Sequence, residues 1–437
     1  MLSADWVLPV EGEPIRDGAI AFEDGRIVAV GRSADLGAGT RYEGAAIVPG
    51  LVNAHTHLEY AVYAGFGDGL PFEEWLATHI ERKQLLRADD HEAIARLGAA
   101  ECLGSGVTTI GDASFTGAAA AAAHELGLRA TLYLEVFGDD PEPALARFAR
   151  LRDEVGPHLS ERVRLGVSPH APYTTGIDVY AAVAELGLPL MSHLAETAAE
   201  REWLEQGAGP WQRSLGDKLL GPTGSTGIRA LAERGLLSPR LAAVHCVDLQ
   251  PDELALLAGS GSGVVHCPRS NSYLGCGIAP LRALLDAGAR VGLGTDSPNS
   301  AVDFDLFAEL RAAVMHARAR EHAAESLSAT EALELATLGG ARALGLDGEI
   351  GSLVPGKRAD LAVVALADTG LHPWEDPATA VVLGGSPEHV QATLVGGEIR
   401  YEKGNGEWQR HRSAAVDARR RMLASASAAP PGSATSR

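Results

Sequence analysis

Two histidines stand two positions apart in Pro49-Gly50-Leu51-Val52-Asn53-Ala54-His55-Thr56-His57. On an extended chain residues i and i+2 share a face, so one metal ion can take both imidazoles; on a helix the same pair is turned apart by roughly 200°. A chance pairing is the competing reading in a chain with 15 histidines. Farther on, His193 lies in Ser192-His193-Leu194-Ala195-Glu196-Thr197 and Asp296 in Gly294-Thr295-Asp296-Ser297-Pro298. Three imidazoles and a carboxylate suit one divalent ion per subunit, Zn²⁺ first and Fe²⁺ second, with a position left for water. His193 has a structural alternative as a satisfied polar group at a helix start, and Asp296 one as a helix cap. No lysine falls on a strand end, which argues against a bridging carbamylated lysine and a second metal.

Glu196 follows His193 by three positions, where a carboxyl can sit beside an activated water without ligating and carry its proton onward. His245 closes the apolar run Leu241-Ala242-Ala243-Val244-His245 and is a candidate to take or polarise that proton, unless it is a core histidine bonded to a carbonyl. Glu200, one turn on, reads as a solvated helix residue. His170, in Ser168-Pro169-His170-Ala171-Pro172-Tyr173, is held by its prolines in a loop that favours substrate over metal, with a purely structural loop as the alternative. Phe72-Glu73-Glu74-Trp75-Leu76 follows the glycine-rich stretch Gly65-Phe66-Gly67-Asp68-Gly69. Such a loop can cover a ligand and give it an aromatic wall, while Trp75 as the buried anchor of a surface helix fits equally well. Arg269 and Asn271, in Pro268-Arg269-Ser270-Asn271-Ser272, either orient the loop carrying His266 or touch substrate.

These residues need a scaffold that gathers them, and the chain supplies one. Strand-like runs end at His55, Ile110, Val136, Val167, His193, His245, His266 and Asp296, and alanine-rich helical stretches separate them. Eight such units predict a (β/α)8 TIM barrel, whose strands all open at one end so that distant residues converge there. Short strands with Asp24-Gly25 and Gly396-Gly397 hairpin signals flank it, predicting a small β-sandwich built from both chain ends. The expected division is residues 1–50 and 349–405 for the sandwich and 51–348 for the metal-dependent barrel. Residues 406–437 read as an extension, with a serine-capped helix over 413–423 and a disordered Pro/Gly/Ser-rich tail. No Gly-x-Gly-x-x-Gly or P-loop pattern follows a strand, so nucleotide-cofactor readings have no support.

Composition narrows the function further. Lys+Arg 37 against Asp+Glu 57 gives a net charge of −20, which disfavours polymeric nucleic acid and anionic membranes as partners. Hydrophobic content of 46% and charged content of 22% belong to a packed globular protein. Four cysteines without zinc-knuckle spacing, and no leader or apolar span at the start, point to the cytoplasm. A symmetric homodimer or higher homo-oligomer is the expected assembly.

Taken together, the His55/His57 motif, Ser192 to Thr197, the isolated His245, Thr295-Asp296-Ser297 and the closing Gly351-Ser352-Leu353 to Ala359-Asp360-Leu361 resemble the amidohydrolase superfamily. The likeness is to its branch of chlorohydrolases and aromatic-ring deaminases, which includes S-adenosylhomocysteine/methylthioadenosine, guanine and cytosine deaminases, and it runs from about residue 2 to 405. The resemblance implies a barrel with a composite sandwich, a single metal on His55, His57, His193 and Asp296, and proton handling by Glu196, His245 and Asp296. It also implies a small heteroaromatic substrate, with His170 against a purine ring and Glu73, Glu74 and Trp75 on the substrate side, one glutamate meeting a ribose hydroxyl. The implied reaction is hydrolytic deamination, Glu196 protonating a ring nitrogen while water attacks the amino-bearing carbon. Glu59, directly after His57-Leu58, stands where these enzymes vary with substrate. With the bacterial-looking composition, His57-Leu58-Glu59 is similar to the aminodeoxyfutalosine deaminases of menaquinone biosynthesis, implying 6-amino-6-deoxyfutalosine as substrate. The alternatives are a triazine or pterin deaminase, a chlorohydrolase, a cyclic amidohydrolase and a non-enzymatic metal-binding protein.

Overall fold

The N-terminal strands are β1 (Leu2–Val7), β2 (Ile15–Glu23), β3 (Arg26–Arg32) and β4 (Thr40–Pro49). Asp24 and Gly25, at φ 48° and 75°, make the tight turn between β2 and β3, as Asp-Gly between apolar runs predicts. The computed structural model describes residues 1–37 and 39–428; the tail expected to be disordered lies outside the described residues.

The next eight strands are β5 (Leu51–Thr56), β6 (Val107–Ser114), β7 (Arg129–Val136), β8 (Val163–Pro169), β9 (Leu190–Leu194), β10 (Leu241–His245), β11 (Gly263–His266) and β12 (Arg290–Leu293). They form one eight-stranded sheet in sequence order, every printed pairing parallel. Helices cover its outer face, so a strand such as β6 or β7 is buried along its whole length, on both faces of the sheet. Helix Ala118–Leu126 buries Ala119, Ala120, Ala122 and Ala123; its small side chains bring it close to the strands. The sheet closes where β12 returns to β5: Thr56 bridges Asp296 in parallel, and the Asp296 N–H donates to the His55 carbonyl at 3.0 Å. The fold is the (β/α)8 barrel expected.

Three later strands, β13 (Leu361–Ala365), β14 (Val390–Val395) and β15 (Glu398–Glu402), join the N-terminal four in the order β15-β14-β13-β4-β1-β2-β3. β13 runs antiparallel to β4, with Val363 opposite Ile47. The segment leading into β13 reaches across to the edge strand β3, where the Ile27 N–H donates to the Lys357 carbonyl at 2.9 Å and the Gly356 N–H to the Ile27 carbonyl at 2.8 Å. The sheet thus curls over Val7, Ile20, Ile47, Leu361, Val363 and Leu394 as a mixed β-sandwich. Gly50 carries the chain from sandwich to barrel, where a Cβ would lie 2.1 Å from Thr108 Oγ1; only glycine fits that crossing.

The C-terminal helix runs Glu407–Ala428, longer than the expected 413–423, so Ser413 lies inside it and is no cap. Ala415, Ala418 and Met422 are buried where it packs on helix Ala88–Gly104. Arg419 stacks 4.3 Å from the Phe66 ring and donates to the Val62 and Ala64 carbonyls. No helix among the described residues is long and apolar enough to cross a membrane.

Candidate metal centre and active site

The open ends of the barrel strands bring His55, His57 and His193 together, with one ligand-capable atom from each lying within 4.8 Å of the others. Backbone carbonyls accept but never donate, so each such bond fixes a ring's proton. His57 Nδ1 donates to Ala113 O and His193 Nδ1 to His170 O, both at 2.8 Å, leaving the two Nε2 lone pairs free. His55 Nδ1 contacts Met191 Sδ at 3.1 Å, while its Nε2 is buried with no hydrogen-bond partner among the described residues. Asp296 Oδ1 lies 3.5 Å from the Nε2 of both His55 and His57, and Oδ2 accepts from Ser270 at 2.7 Å and Ser300 at 2.9 Å. Three neutral imidazoles with free nitrogens, one of them orphaned in the core, and an oriented carboxylate fit a divalent ion.

Burial keeps the imidazoles neutral, pushing His55 down to about 4 and His57 and His193 to about 3. Burial acts to raise Asp296, but His55 and the other imidazoles hold it well below the usual carboxylate range. Local architecture fixes the donors. Asn53 exchanges bonds with Thr295, donating to its hydroxyl at 2.8 Å and accepting from its N–H at 2.9 Å, which ties the histidine strand to the aspartate loop. Asp112 accepts from Thr56 Oγ1 and the Leu58 N–H, both at 2.8 Å, and sets the turn after His57. Gly294 lets the loop pass, since a Cβ there would be 2.8 Å from the Cβ of His55.

Glu196 and His245 flank the cluster. His245 Nδ1 donates to Asn271 Oδ1 at 2.9 Å, so its Nε2, 3.5 Å from Glu196 Oε1, is free to accept. Burial, then the charges of Asp296 and Glu200, push the Glu196 carboxyl well up, favouring its protonated form. Ala195, His245, Cys246 and Asp296 all have left-handed φ, between 51° and 73°; such strain in non-glycine residues collects where side chains are aimed at a site.

A cavity of about 380 Å³ covers this floor, within the range of small-molecule sites. Its walls include Trp75, His79, Phe137, His170, Tyr173 and Asn299. His170 Nδ1 is paired with Thr174 Oγ1 at 2.7 Å, and Trp75 stacks on His79 at 5.9 Å while donating to the Asn299 carbonyl.

Several assignments made from sequence change. Glu73 and Glu74 occupy the first turn of helix Phe72–Lys83 outside the cavity lining, because only one face of the helix, that of Phe72, Trp75, Leu76 and His79, looks inward. The glycine-rich loop at 65–69 likewise stays outside it, Phe66 being used by Arg82 and Arg419. Glu59 is buried, accepting from the Ser114 hydroxyl and from the N–H groups of Thr116, Gly117 and Ala118 at the start of helix Ala118–Leu126. Its carboxylate is consumed there, so the likeness drawn from His57-Leu58-Glu59 has no substrate contact behind it. Arg269 turns away to Asp303 at 2.7 Å and Glu309 at 2.5 Å, and Asn271 orients His245. Glu200 is buried rather than solvated; its carboxylate accepts from the Ala195 and Glu196 N–H groups at 3.0 and 2.7 Å and shapes the turn that aims Glu196. His266 is buried outside the cavity lining, neither ring nitrogen having a partner among the described residues. His79 and Asn299 went unnoticed in the sequence; the i, i+4 spacing of Trp75 and His79 on one helix face was the available signal for the first.

Comparison with known proteins agrees with this geometry. The Amidohydrolase family profile matches residues 46–400. Two 5-methylthioadenosine/S-adenosylhomocysteine deaminases, from Teredinibacter turnerae and Moorella thermoacetica, are each 35% identical, covering 91% of this chain and 91% and 93% of their own lengths. The crystal structure of an adenosine deaminase from Xanthomonas campestris with bound zinc superposes with a TM-score of 0.87 at 30% identity, covering 97% of this chain and 98% of that one. An atrazine chlorohydrolase from Arthrobacter aurescens shares the fold at 23% identity, with a TM-score of 0.81, covering 96% of this chain and 100% of its own.

Proposed function

The chain belongs to the amidohydrolase family, and from that premise we propose that it removes the amino group of a purine nucleoside, or a closely related heteroaromatic ring, by hydrolysis with release of ammonia. It is a metal-dependent hydrolase of C–N bonds other than peptide bonds, and its cofactor is one divalent ion, zinc. The observation that carries this reading is the meeting of three free imidazole nitrogens and Asp296 under an aromatic-walled cavity. The likeness to nucleoside deaminases over nearly the whole chain, one of them zinc-bound, supports it.

His55, His57, His193 and Asp296 would hold the ion. Its contribution is Lewis acidity, which makes a water molecule nucleophilic at neutral pH. In this reading Asp296 and His245 orient the attacking water and take up the proton it loses, His245 accepting at the Nε2 that Asn271 leaves free. Glu196, kept protonated by its burial, delivers a proton to the ring nitrogen beside the amino-bearing carbon, so that charge building on the ring is removed as it forms. The proton gained from water then passes to the amine, which leaves as ammonia, while the oxygen stays on the carbon and its remaining proton returns to Glu196. A non-ligand glutamate working beside a metal is the division of labour of other zinc deaminases on a different ligand set. Trp75, His170 and Tyr173 wall the ring and exclude water.

A cytoplasmic homodimer or higher homo-oligomer completes the proposal; four free cysteines, three of them buried, and the commonness of symmetric pairs support it. The test is ammonia release by metal-quantified protein from adenosine, 5′-methylthioadenosine, S-adenosylhomocysteine, guanine, cytosine and an aminopterin. Release from adenine nucleosides, abolished by chelation and restored by zinc, is expected. Silence on every nucleoside with about one ion bound per chain would overturn the proposal.

A further inference from the structure

Residues 61–71 lead from the single turn Leu58–Tyr60 to helix Phe72–Lys83, which supplies Trp75, Leu76 and His79 to the cavity wall. They form neither helix nor strand, and Gly65, Gly67 and Gly69 stand at left-handed φ of 79°, 78° and 76°. A segment so rich in glycine has little hold on its own shape. The hold comes from the other end of the chain. Arg419, on the C-terminal helix, donates to the carbonyls of Val62 and Ala64, the second at 3.2 Å, and its guanidinium lies 4.3 Å over the buried Phe66 ring. Arg82, next to last in the cavity helix, lies over the same ring at 4.2 Å. Two like charges at one ring repel, and the negative ring faces and the two carbonyls offset that repulsion. Phe66 thus fastens the cavity helix to the C-terminal helix.

From Phe66 a series of rings runs to the metal centre. Successive centres are 5.3 Å apart from Phe66 to Tyr63, 5.3 Å from Tyr63 to Tyr60 and 5.4 Å from Tyr60 to His57. Tyr60 and Tyr63 also meet His79 edge to face at 4.4 and 5.5 Å, and His79 stacks on Trp75. The loop touches this wall directly at Gly67, where a Cβ would lie 2.9 Å from Cδ1 of Trp75. Rings packed this closely cannot shift one at a time. We propose that Arg419 is a positioning residue: through Phe66 and the two loop carbonyls, the C-terminal helix fixes the wall of Tyr60, Trp75 and His79 against which the substrate ring binds. This rests on the deaminase reading for the nature of the ligand. It gives the C-terminal helix a part in substrate binding, although none of its described residues lines the cavity.

The test uses metal-replete, full-length protein: wild type, Arg419→Gln, Arg419→Lys, Phe66→Leu, the Arg419→Gln/Phe66→Leu pair, and Arg421→Gln. Each is followed by amide hydrogen exchange without substrate, and by ammonia release from whichever of adenosine, 5′-methylthioadenosine and S-adenosylhomocysteine the wild type turns over fastest. In Arg419→Gln, exchange over residues 62–70 and the first turns of helix Phe72–Lys83 should quicken about 10-fold and KM should rise about 10-fold, with kcat within about twofold and metal content unchanged. Arg419→Lys, which keeps a cation for the ring and the carbonyls, should fall between the two. The paired variant should cost little more than either change alone, as two halves of one contact do. Arg421→Gln, which loosens the same helix at Asp90, should leave KM and this exchange at wild-type values. Wild-type exchange or KM in Arg419→Gln, or fully additive effects in the pair, would overturn the proposal. So would an equal rise in KM with Arg421→Gln, since helix docking in general would then govern the wall. The expected exchange pattern in protein that releases ammonia from no nucleoside would uphold the positioning while sinking the deaminase reading, so the two failures are told apart.

Discussion

Replacing Glu196 with Gln removes one transferable proton and leaves every proposed metal ligand in place. The expected outcome is unchanged metal content by elemental analysis with kcat reduced about 10³-fold, the middle of the range for general acid–base groups; near-native turnover in metal-replete protein would count against its role. The same scale shows what a sequence can reveal about a site. His55, His57, His193 and Asp296 were legible because strand ends converge in a barrel whatever the loops do. The supporting roles of Glu200, Glu59 and Arg269 were not, because a side chain's role depends on which way its turn faces. Glu200 reads as a surface residue until the left-handed Ala195 brings the two N–H groups of residues 195 and 196 onto its carboxylate. Glu59 and Arg269 read as substrate contacts until a helix start and two acidic partners claim them.

The docking of helix Glu407–Ala428 on helix Ala88–Gly104 shows how one element holds another. Asp90 accepts from the Arg87 N–H at the start of the inner helix and from Arg421 of the outer one at 3.1 Å. Burial alone would raise its pKa, but the bonds from Arg421 and Arg87 outweigh it and bring it down to about 2. A carboxyl depressed on folding stabilises the protein above its unfolded value near 3.8 and loses that contribution as pH falls through about 2. Asp90→Asn should therefore lower stability by on the order of 1 kcal/mol at pH 6, mostly from the helix start, since the Arg421 partner is half exposed. The difference from wild type, followed by thermal melts, should shrink between pH 4 and pH 2; a difference that does not change with pH would exclude the ionic contribution. The helix itself was visible in the sequence as an alanine-rich run. Its true length was not, because its ends are set by packing on a partner that sequence does not disclose.

Across the whole molecule, barrel and sandwich are joined by a buried pair. Arg129, the first residue of β7, meets Asp360, just before β13, at 2.8 and 3.1 Å, and Asp360 also accepts from the Gly396 N–H at 2.7 Å. Arg129→Met leaves that carboxylate buried with its charge unmatched. Unfolding in denaturant should show a loss of about 3–5 kcal/mol, whereas a loss under 1 kcal/mol would mean that the two layers hold together without the pair. At this scale the architecture was the most legible part of the chain, since eight strand-like runs and two hairpin signals are repeated features that no single misread turn can erase. The pairing of β4 with β13 has a further consequence during synthesis. A ribosome finishes the first edge of that pair long before residues 361–365 leave the exit tunnel, so β4 waits with one row of amide and carbonyl groups bare while the barrel beside it takes shape. Vectorial synthesis thus orders the folding, with the sandwich closing after the barrel and the C-terminal helix last. Products cut short before residue 361 keep that edge open, making them ready templates for aggregation and natural clients for chaperones.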